Sequence, residues 1–260
     1  MKKFPAIRPR RSRFHEWSRR LVAENTLSVD DLILPLFLVD GKKRVESVDA
    51  MPGVFRYSVD EILKVVEKVS QKKIPLIALF PKIDIKLKTN DGKEALNPEG
   101  LIPEAIVKIK KEFPNIGIMT DVALDPYTTH GQDGLISEDG TVKNDETIDI
   151  LKQQSLLYAK MGADIVAPSD MMDGRIGVIR NALENNNHCI TKIMAYSAKY
   201  SSSFYNPFRD AVGSSKNLGD FDKKNYQMDP ANSLEALTEV ELDIFEGADM
   251  IMIKPGLPYL

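Results

Sequence analysis

Residues 193–199 read Ile-Met-Ala-Tyr-Ser-Ala-Lys, and residues 250–254 read Met-Ile-Met-Ile-Lys. Each segment is a short apolar run that ends at, or shortly before, a lysine. Similar apolar runs occupy residues 32–39, 74–80, 116–124 and 164–167. Strands that are apolar along their whole length are typical of a parallel sheet buried on both faces. The six runs therefore predict six strands of such a sheet.

Segments with helical periodicity separate these runs, at 59–69, 103–112, 145–161, 175–186 and 233–246. Repeated βα units close into a barrel or form an open sheet, and no Gly-rich fingerprint follows a strand to favour a dinucleotide-binding open sheet. Polar side chains instead follow the carboxyl ends of successive strands, as in a barrel active site; they are Asp121, Asp125, Ser169, Asp170, Lys199 and Lys254. We predict an α/β fold of the (β/α)8 TIM barrel type, with the last two βα units absent from this chain.

The composition is that of a globular protein with small-molecule or protein partners. Of the 260 residues, 43% are hydrophobic and 28% are charged, which excludes a disordered or fibrous chain. The longest apolar run, residues 32–39, is too short to span a bilayer. The net charge of −3 favours neither a nucleic-acid nor a membrane partner. The single cysteine, Cys189, excludes an intrachain disulfide, so we expect a cytoplasmic protein.

The first twenty residues differ from the rest of the chain, because they carry eight basic side chains and one acidic one. A targeting peptide has a similar composition, but Pro5 and Pro9 interrupt the amphipathic helix that it needs. We expect residues 1–30 to form an arm that packs on a neighbouring subunit of a homo-oligomer, and residues 31–260 to form an incomplete barrel domain. A nucleic-acid-binding tail is the alternative for the arm.

Lys199 and Lys254 are the first candidates for catalysis. A lysine at the end of an apolar strand faces a partly dry pocket, where desolvation lowers its pKa and leaves a neutral amine that attacks carbonyl groups. A lysine that extends its ammonium group into water is the structural alternative. In a barrel, both ammonium groups point into one mouth and lower each other's pKa. Two imine-forming lysines indicate a reaction that holds two carbonyl substrates at once.

Residues 121–134 place Asp121, Asp125, Asp133 and His130 in one loop rich in turn residues. Side chains of this kind often cap their own backbone. As chemistry, the carboxylates would bind a hard cation such as Mg²⁺, position water or stabilise protonated amines and iminium groups. A structural zinc site would need thiolates, and this loop has none.

Residues 200–230 form a long stretch without hydrophobic periodicity, which contains Arg209, Lys216, Lys223 and Lys224. Loops of this length inside a compact domain are usually lids or disordered segments. As a lid, the stretch would close its cations over a substrate carboxylate and exclude the water that reverses imine formation. Solvated charges on a mobile loop are the alternative.

Seven segments carry a resemblance to a known family; they are residues 8–13, 121–134, 167–175, 194–200, 207–211, 226–232 and 254–259. With Met-Ala-Tyr-Ser-Ala-Lys-Tyr at 194–200 and Lys-Pro-Gly-Leu-Pro-Tyr at 254–259, the chain resembles porphobilinogen synthase, also called δ-aminolevulinic acid dehydratase. The resemblance implies a (β/α)8 barrel whose N-terminal arm serves assembly of a homo-oligomer, commonly an octamer. It also implies a lyase that condenses two molecules of 5-aminolevulinate to porphobilinogen, with loss of two waters, for haem and other tetrapyrroles.

The same resemblance implies roles for individual residues. Lys199 and Lys254 would form Schiff bases with the two substrates, and Asp125 and Asp133 would act beside them in catalysis. Two cations of the lid would hold the carboxylate of one substrate, with further polar side chains nearby. These substrate-binding residues would be Arg209 and Lys223, together with Gln227, Tyr205 and Ser169.

Zinc-dependent members of the family place three cysteines in the acidic loop, where this chain has Ala123, Asp125 and Asp133. The chain therefore resembles the aspartate-rich, zinc-independent type, which Mg²⁺ often stimulates. The allosteric magnesium position of that type falls on Glu239, which on the bare pattern is equally a solvated helix carboxylate. No zinc site and no organic cofactor are expected.

The chain departs from the family pattern at its end, because family members continue beyond Leu260 through two further strands. A chain that stopped there would leave Lys254 without part of its pocket and two strand edges unpaired, so we expect such a chain to be neither stable nor active. Two other functions stay open. One is another lysine-dependent barrel, such as a class I aldolase, which needs a single imine lysine, and the other is a non-catalytic partner that joins the oligomer through its arm.

Overall fold

A computed structural model describes residues 3–213 and 222–259 of the chain. All six predicted strands form, and each pairs in parallel with the next along the chain, as in an α/β barrel. Numbered in chain order, they are β1 (Ile33–Val39), β4 (Leu76–Lys82), β5 (Gly117–Val122), β6 (Ile165–Pro168), β7 (Lys192–Lys199) and β8 (Met250–Lys254). This strand order confirms the predicted α/β fold of the barrel type.

A hairpin that the apolar pattern does not predict follows β1. Its strands are β2 (Val45–Ser47) and β3 (Phe55–Tyr57), and they pair with each other in antiparallel fashion. β3 also pairs in parallel with β1, with Arg56 opposite Phe37. Each strand has only three residues, too few to display an alternation of polar and apolar side chains. The hairpin extends the sheet beyond β1 and carries Arg56 close to the carboxyl end of that strand.

Side chains of the parallel strands alternate between two apolar cores, because successive residues of a strand point to opposite faces. The outer core lies between the sheet and the helices and includes Leu38, Leu79 and Ile118. The inner core fills the barrel and includes Phe37, Phe80, Met119 and Tyr196. Both faces of the strands are therefore buried, which explains their apolar composition. On β5 and β8, the residues two positions beyond the last inner-core residue, Asp121 and Lys254, line the cavity at the barrel mouth.

Each predicted helix is confirmed to within two residues at its ends. These helices are α3 (Val59–Gln71), α4 (Leu101–Glu112), α5 (Asn144–Met161), α6 (Arg175–Asn185) and α8 (Ser233–Phe245). A further helix, α7 (Asn206–Val212), lies within the stretch for which no regular structure is expected. Its seven residues are too few to show a helical period, and Gly213 ends it at φ 68°. Lys216 lies outside the described residues.

A buried ion cluster fastens α8 to the barrel. Arg175, the first residue of α6, has its Nη2 atom 3.3 Å from Asp243 of α8 and its Nε atom 3.6 Å from Asp170. Nη2 of Arg175 also donates to the carbonyl oxygen of Tyr196 on β7. Desolvation raises the pKa of Asp170 to about 6. The cluster thus holds the loop after β6 against both α8 and β7.

The N-terminal residues form two short helices, α1 (Arg10–Phe14) and α2 (Glu16–Leu21), whose side chains are mostly exposed. Phe4, Phe14, Trp17 and Leu21 are each at least 65% exposed. Such apolar exposure is typical of a segment that packs on another protein surface, but the boundary at residue 30 stays a prediction.

Within residues 3–213 and 222–259, no helix has both the length and the apolar character that crossing a bilayer requires.

Candidate active site

Lys199 and Lys254 lie directly opposite each other at the carboxyl ends of β7 and β8. An irregularity in β7 makes this possible, because two residues between Ala195 and Ala198 lie opposite a single residue of β8, Met252. Without the extra residue, the strict alternation of β7 would turn Lys199 to the outer face. The bulge therefore turns the amino group of Lys199 into the barrel mouth, where Lys254 already points because it follows inner-face Met252 by two residues.

Lys199 lies in a polar, ion-paired environment. Its Nζ atom is 3.3 Å from Oδ2 of Asp133 and donates a hydrogen bond to the carbonyl oxygen of Ser169. The other oxygen of Asp133 accepts a 2.6 Å hydrogen bond from Lys223, which also lies 3.5 Å from Asp125. Burial acts to raise the pKa of Asp133, but the ammonium groups of Lys199 and Lys223 outweigh it and hold that pKa below its ordinary value. Asp133 is thus an ionised bridge between two lysines.

Lys254 lies in a mainly aromatic environment. Its Nζ atom is 4.1 Å from the centroid of the Phe208 ring and 5.0 Å from that of the Tyr196 ring. Desolvation, followed by repulsion from Lys199, lowers the pKa of Lys254 to about 8. The backbone is fixed as well, since the Lys254 carbonyl oxygen accepts hydrogen bonds from Tyr205 Oη and from the Tyr200 amide. At neutral pH a fraction of Lys254 is therefore a free amine, the form that attacks carbonyl groups.

The carboxyl groups of Asp121 and Asp125 lie beside the two lysines, and both are weaker acids than an ordinary aspartic acid. Burial is the main cause in both, and it raises the pKa of Asp121 to about 6, with the neighbouring Asp125 adding to the effect. The pKa of Asp125 is also raised by burial, although Lys223 acts in the opposite sense. Lys199, Lys254 and Ser169 act in the opposite sense on the pKa of Asp121 without outweighing burial. A carboxyl group with a pKa of about 6 exchanges protons readily near neutral pH.

A small cavity of about 30 Å³ lies between these groups. It holds about one water molecule, so a larger ligand enters only when the surrounding side chains rearrange. Buried Gln227 also faces the cavity, and its Oε1 atom has no hydrogen-bond partner among the described residues. The residues that line the cavity are Asp121, Asp125, Ser169, Lys199, Tyr205, Phe208, Arg209, Lys223, Gln227 and Lys254. With Asp133 beneath it, the cavity brings together nine of the ten predicted site residues.

Glu239 is the predicted residue that lies elsewhere. With Asp173 and Glu235, it lines a separate cavity of about 420 Å³ beside α8. Burial raises the pKa of Glu239. Across the described parts of the chain, no group of three or more His, Cys, Asp or Glu side chains is arranged to hold a metal ion. A magnesium ion at Glu239 would therefore keep most of its water ligands, as Mg²⁺ often does in proteins.

The pattern of the sequence misses the aromatic pair Tyr196 and Phe208, whereas it does name Asp121, which lines the same cavity as the two lysines. Asp121 has a detectable signal, because it follows Met119 by two residues and so continues the inner face of β5. Tyr196 shows the same phase on β7. Phe208 has no such signal, since only the placement of α7 brings it to Lys254.

The fold and the site define a class, that of α/β barrels with amine nucleophiles at the ends of their strands. The family model for delta-aminolevulinic acid dehydratase matches residues 6–260. The chain therefore belongs to the delta-aminolevulinic acid dehydratase family, and the predicted resemblance is confirmed.

Curated relatives and a solved structure support the same assignment. The chain is 57% identical to the enzyme of Bradyrhizobium diazoefficiens over 98% of its own length and 72% of the relative's. It is 50% identical to that of Methanothermus sociabilis, covering 99% and 79%, and 47% identical to the chloroplastic enzyme of Physcomitrium patens, covering 97% and 58%. The Toxoplasma gondii dehydratase, solved in complex with its product porphobilinogen, superposes with a TM-score of 0.94 at 48% identity, over 97% of this chain and 72% of that one.

Proposed function

We propose that this protein is a hydro-lyase that condenses two molecules of 5-aminolevulinate to porphobilinogen through two lysine Schiff bases. The observation that carries the proposal is the pairing of Lys199 with Lys254 at the ends of neighbouring strands, which offers two amines to one small cavity. The naming of the relatives and the bound product of the Toxoplasma gondii enzyme support the same substrate and product. A barrel with one imine lysine, such as a class I aldolase, has no use for the second amine.

The first covalent step is formation of an imine at Lys254. Because the pKa of this residue is about 8, its neutral amine is available to attack the ketone carbon of one substrate. The carbinolamine that results loses one water as the C=N bond forms, and this loss requires a proton. Asp121, whose pKa of about 6 lies close to neutrality, is placed to supply that proton.

The second substrate forms an imine at Lys199, with loss of the second water. Lys199 must first give up a proton, and Asp125, which lines the same cavity and whose pKa burial raises, accepts it and returns it to the hydroxyl group that leaves as water. A pyrrole then requires one new C–C bond and one new C–N bond between the substrates, and formation of these bonds releases both lysines. The carboxylates of Asp125 and Asp133 stabilise the iminium charges that exist during these steps.

The cations of α7 and of the following loop bind the carboxylate of one substrate. Arg209 and Lys223 both line the cavity, and a guanidinium or ammonium group forms strong hydrogen bonds with a carboxylate. In the absence of substrate, Lys223 is paired with Asp133 and Asp125. The substrate carboxylate therefore competes with these two side chains for Lys223. Gln227, with a free Oε1 atom among the described residues, accepts a hydrogen bond from a substrate amine.

Reduction of the imines tests the proposal. The purified protein is treated with 5-aminolevulinate and borohydride, and the modified peptides are identified by mass spectrometry. We expect adducts on Lys199 and Lys254, and loss of porphobilinogen formation by on the order of 10³-fold or more in Lys199→Met and Lys254→Met. Lys72→Met, which removes an exposed lysine at the end of α3, is the matched control. An adduct on Lys254 alone, with no pyrrole product, would instead support a one-lysine barrel.

We also propose a magnesium site at Glu239, where a bound ion would balance the charge of the carboxylates that line the 420 Å³ cavity. An ion that binds only the folded protein raises its thermal stability by mass action. MgCl2 is therefore expected to raise the melting temperature of the parent protein and not that of Glu239→Gln. An equal rise in both proteins would place the ion elsewhere.

A cytoplasmic homo-oligomer, with an octamer as the expected form, completes the proposal. The exposed apolar side chains of α1 and α2 support an arm that packs on another subunit. Native mass spectrometry of the protein and of Trp17→Glu tests this role, because a charge in that contact would disfavour the larger assembly. An unchanged distribution of assemblies would contradict it.

A further inference from the structure

Two buried cations of the barrel meet the carboxyl end of α7, the helix that carries Arg209. We propose that Arg56 and Lys88 are positioning residues that hold α7 against the barrel and thereby set the position of Arg209 at the carboxylate of the substrate. The role of Arg209 rests on the proposed function, whereas the attachment of α7 stands on the contacts alone.

Arg56 binds α7 with two of its nitrogen atoms. Its Nε atom donates to the carbonyl oxygen of Ala211 and its Nη2 atom to that of Asp210, both at 2.6 Å. The third nitrogen, Nη1, donates to the carbonyl oxygen of Ser47 at 3.3 Å. The guanidinium group therefore links the last turn of α7 to the hairpin of β2 and β3, about 150 residues earlier in the chain.

Lys88 binds the residue that ends α7. It follows β4 in a separate loop, is 7% exposed, and donates from Nζ to the carbonyl oxygen of Gly213 at 3.3 Å. The last carbonyls of a helix have no intrahelical donor. Within the described residues, the carbonyl oxygens of Ala211 and Gly213 accept only from Arg56 and Lys88, whereas that of Asp210 also accepts from the Gly213 amide at 3.0 Å. Cations are favourable at this end of a helix. Two separate parts of the barrel thus contribute a cation to the same helix end.

Two carboxylates near Arg56 allow its charged guanidinium group to be buried at this contact. Glu46 lies 3.9 Å from Arg56, and Asp210 lies 3.8 Å from it, so the buried guanidinium charge is balanced. Lys82, in turn, pairs with Glu46 at 3.1 Å. A buried arginine whose hydrogen bonds go mainly to backbone carbonyls fixes a segment of backbone more than it stabilises an ion pair.

The position of α7 matters for the site because its middle residues reach the cavity. Phe208 and Arg209 precede the carbonyls held by Arg56 by one to three residues, and both line the cavity that contains Lys254. A short helix moves as a rigid unit, so a shift at Asp210 and Ala211 also moves the Arg209 guanidinium. A displacement of about 1 Å is enough to weaken a directed contact strongly.

The test compares Arg56→Gln and Lys88→Gln with Arg44→Gln. Arg44 is the matched control, because it is a half-exposed arginine of the same surface whose side chain bonds to Glu46 and to the Asp40 carbonyl and, among the described residues, forms no hydrogen bond or ion pair with α7. The measurement is the concentration of 5-aminolevulinate that gives half-maximal borohydride trapping at Lys254. We expect it to rise about tenfold in each test variant, with unchanged maximal trapping, and to stay constant in Arg44→Gln. Arg56→Lys, which keeps the charge and one donor, should recover part of the loss.

A double variant distinguishes an effect through Arg209 from a general loss of structure. In Arg209→Gln the carboxylate contact is already lost, so adding Arg56→Gln should change half-maximal trapping little further. Independent and multiplicative effects of the two substitutions would overturn the inference.

Hydrogen exchange of the α7 amides, measured without substrate, does not depend on the proposed function. Faster exchange at 206–212 in Arg56→Gln and Lys88→Gln than in Arg44→Gln is expected, and equal exchange would overturn the attachment. If the parent protein forms no adduct at Lys254, the proposed function fails, and the exchange experiment still decides whether these residues hold α7.

Discussion

The two lysines at the barrel mouth occupy neighbouring strand ends but contrasting surroundings. Lys199 is held by the Asp133 carboxylate and by the carbonyl oxygen of Ser169. Lys254 faces the rings of Phe208 and Tyr196. Burial and the nearby Lys199 lower the pKa of Lys254 to about 8.

This difference shows how one fold prepares two chemically identical side chains for different steps. An amine among aromatic rings loses its proton without a specific base, because desolvation disfavours the charged form. An amine held by an ionised carboxylate is fixed in position, and the lowered pKa of Asp133 keeps that carboxylate charged beside it. The side of the mouth around Asp133 therefore stabilises positive charge, and the side around Phe208 and Tyr196 contributes a free nucleophile.

The largest expected effect comes from removing the negative charge of Asp133, which balances the buried ammonium groups of Lys199 and Lys223. Asp133→Asn leaves Lys199 and Lys223 buried without their shared carboxylate. We expect the free energy of unfolding to fall by about 3 kcal/mol, measured by urea denaturation at neutral pH. The control is Glu112→Gln, which changes an exposed carboxylate in the same way. It should lower the free energy of unfolding by less than about 0.5 kcal/mol.

The same comparison has a defined pH dependence. Since the folded protein holds the pKa of Asp133 below its ordinary value, its contribution is present above about pH 4 and is lost as the pH falls through the lowered pKa. The difference between the parent protein and Asp133→Asn should thus be constant between about pH 5 and 7 and shrink at lower pH. A difference that grew on acidification would contradict the role of Asp133 as an ionised bridge.

Substitutions of Phe208 test whether the aromatic surroundings of Lys254 lower its pKa. The measurement is the rate at which an amine-specific reagent labels Lys254 across a range of pH. Phe208→Ala admits water and should raise the pKa of Lys254 toward its ordinary value, so labelling at neutral pH falls by about tenfold. Phe208→Leu keeps the site dry and should leave labelling close to that of the parent. Equal loss in both variants would mean that the ring itself, and not the exclusion of water, sets the reactivity.

A smaller effect is expected from the repulsion between the two lysines. Lys199→Met removes the second cause of the lowered pKa of Lys254, so that pKa should rise and labelling of Lys254 at neutral pH should fall severalfold. Lys199→Arg retains a positive charge and should preserve the labelling rate. If methionine and arginine behaved alike, the two lysines would not be electrostatically coupled.

The smallest expected effect is that of Tyr205→Phe. The Tyr205 hydroxyl donates a 2.7 Å hydrogen bond to the Lys254 carbonyl, but the Tyr200 amide donates to the same oxygen at 2.9 Å. Because the carbonyl keeps one donor, we expect a loss of about 0.5 kcal/mol in the free energy of unfolding, measured by urea denaturation. A loss several times larger would show that Tyr205 is essential to the placement of Lys254.

Much of the fold follows from local patterns in the sequence. The six apolar runs and the five amphipathic segments fix the strands and helices, because the period of side-chain burial differs between the two structures. The hairpin of β2 and β3 and the helix α7 escape this reasoning, since segments of three and seven residues are too short to reveal a period. Both elements owe their conformation to contacts with distant parts of the chain.

The sequence by itself determined the class of the barrel, the two strand-end lysines and the acidic loop, because each depends on residues close together in the chain. Only the tertiary structure decided that a bulge in β7 turns Lys199 inward, that Asp133 bridges Lys199 and Lys223, and that Phe208 covers Lys254. These features join residues separated by 46 to 90 positions or depend on strand register. Such distances are set by packing between distant segments of the chain, and the local periodicity of a sequence does not predict that packing.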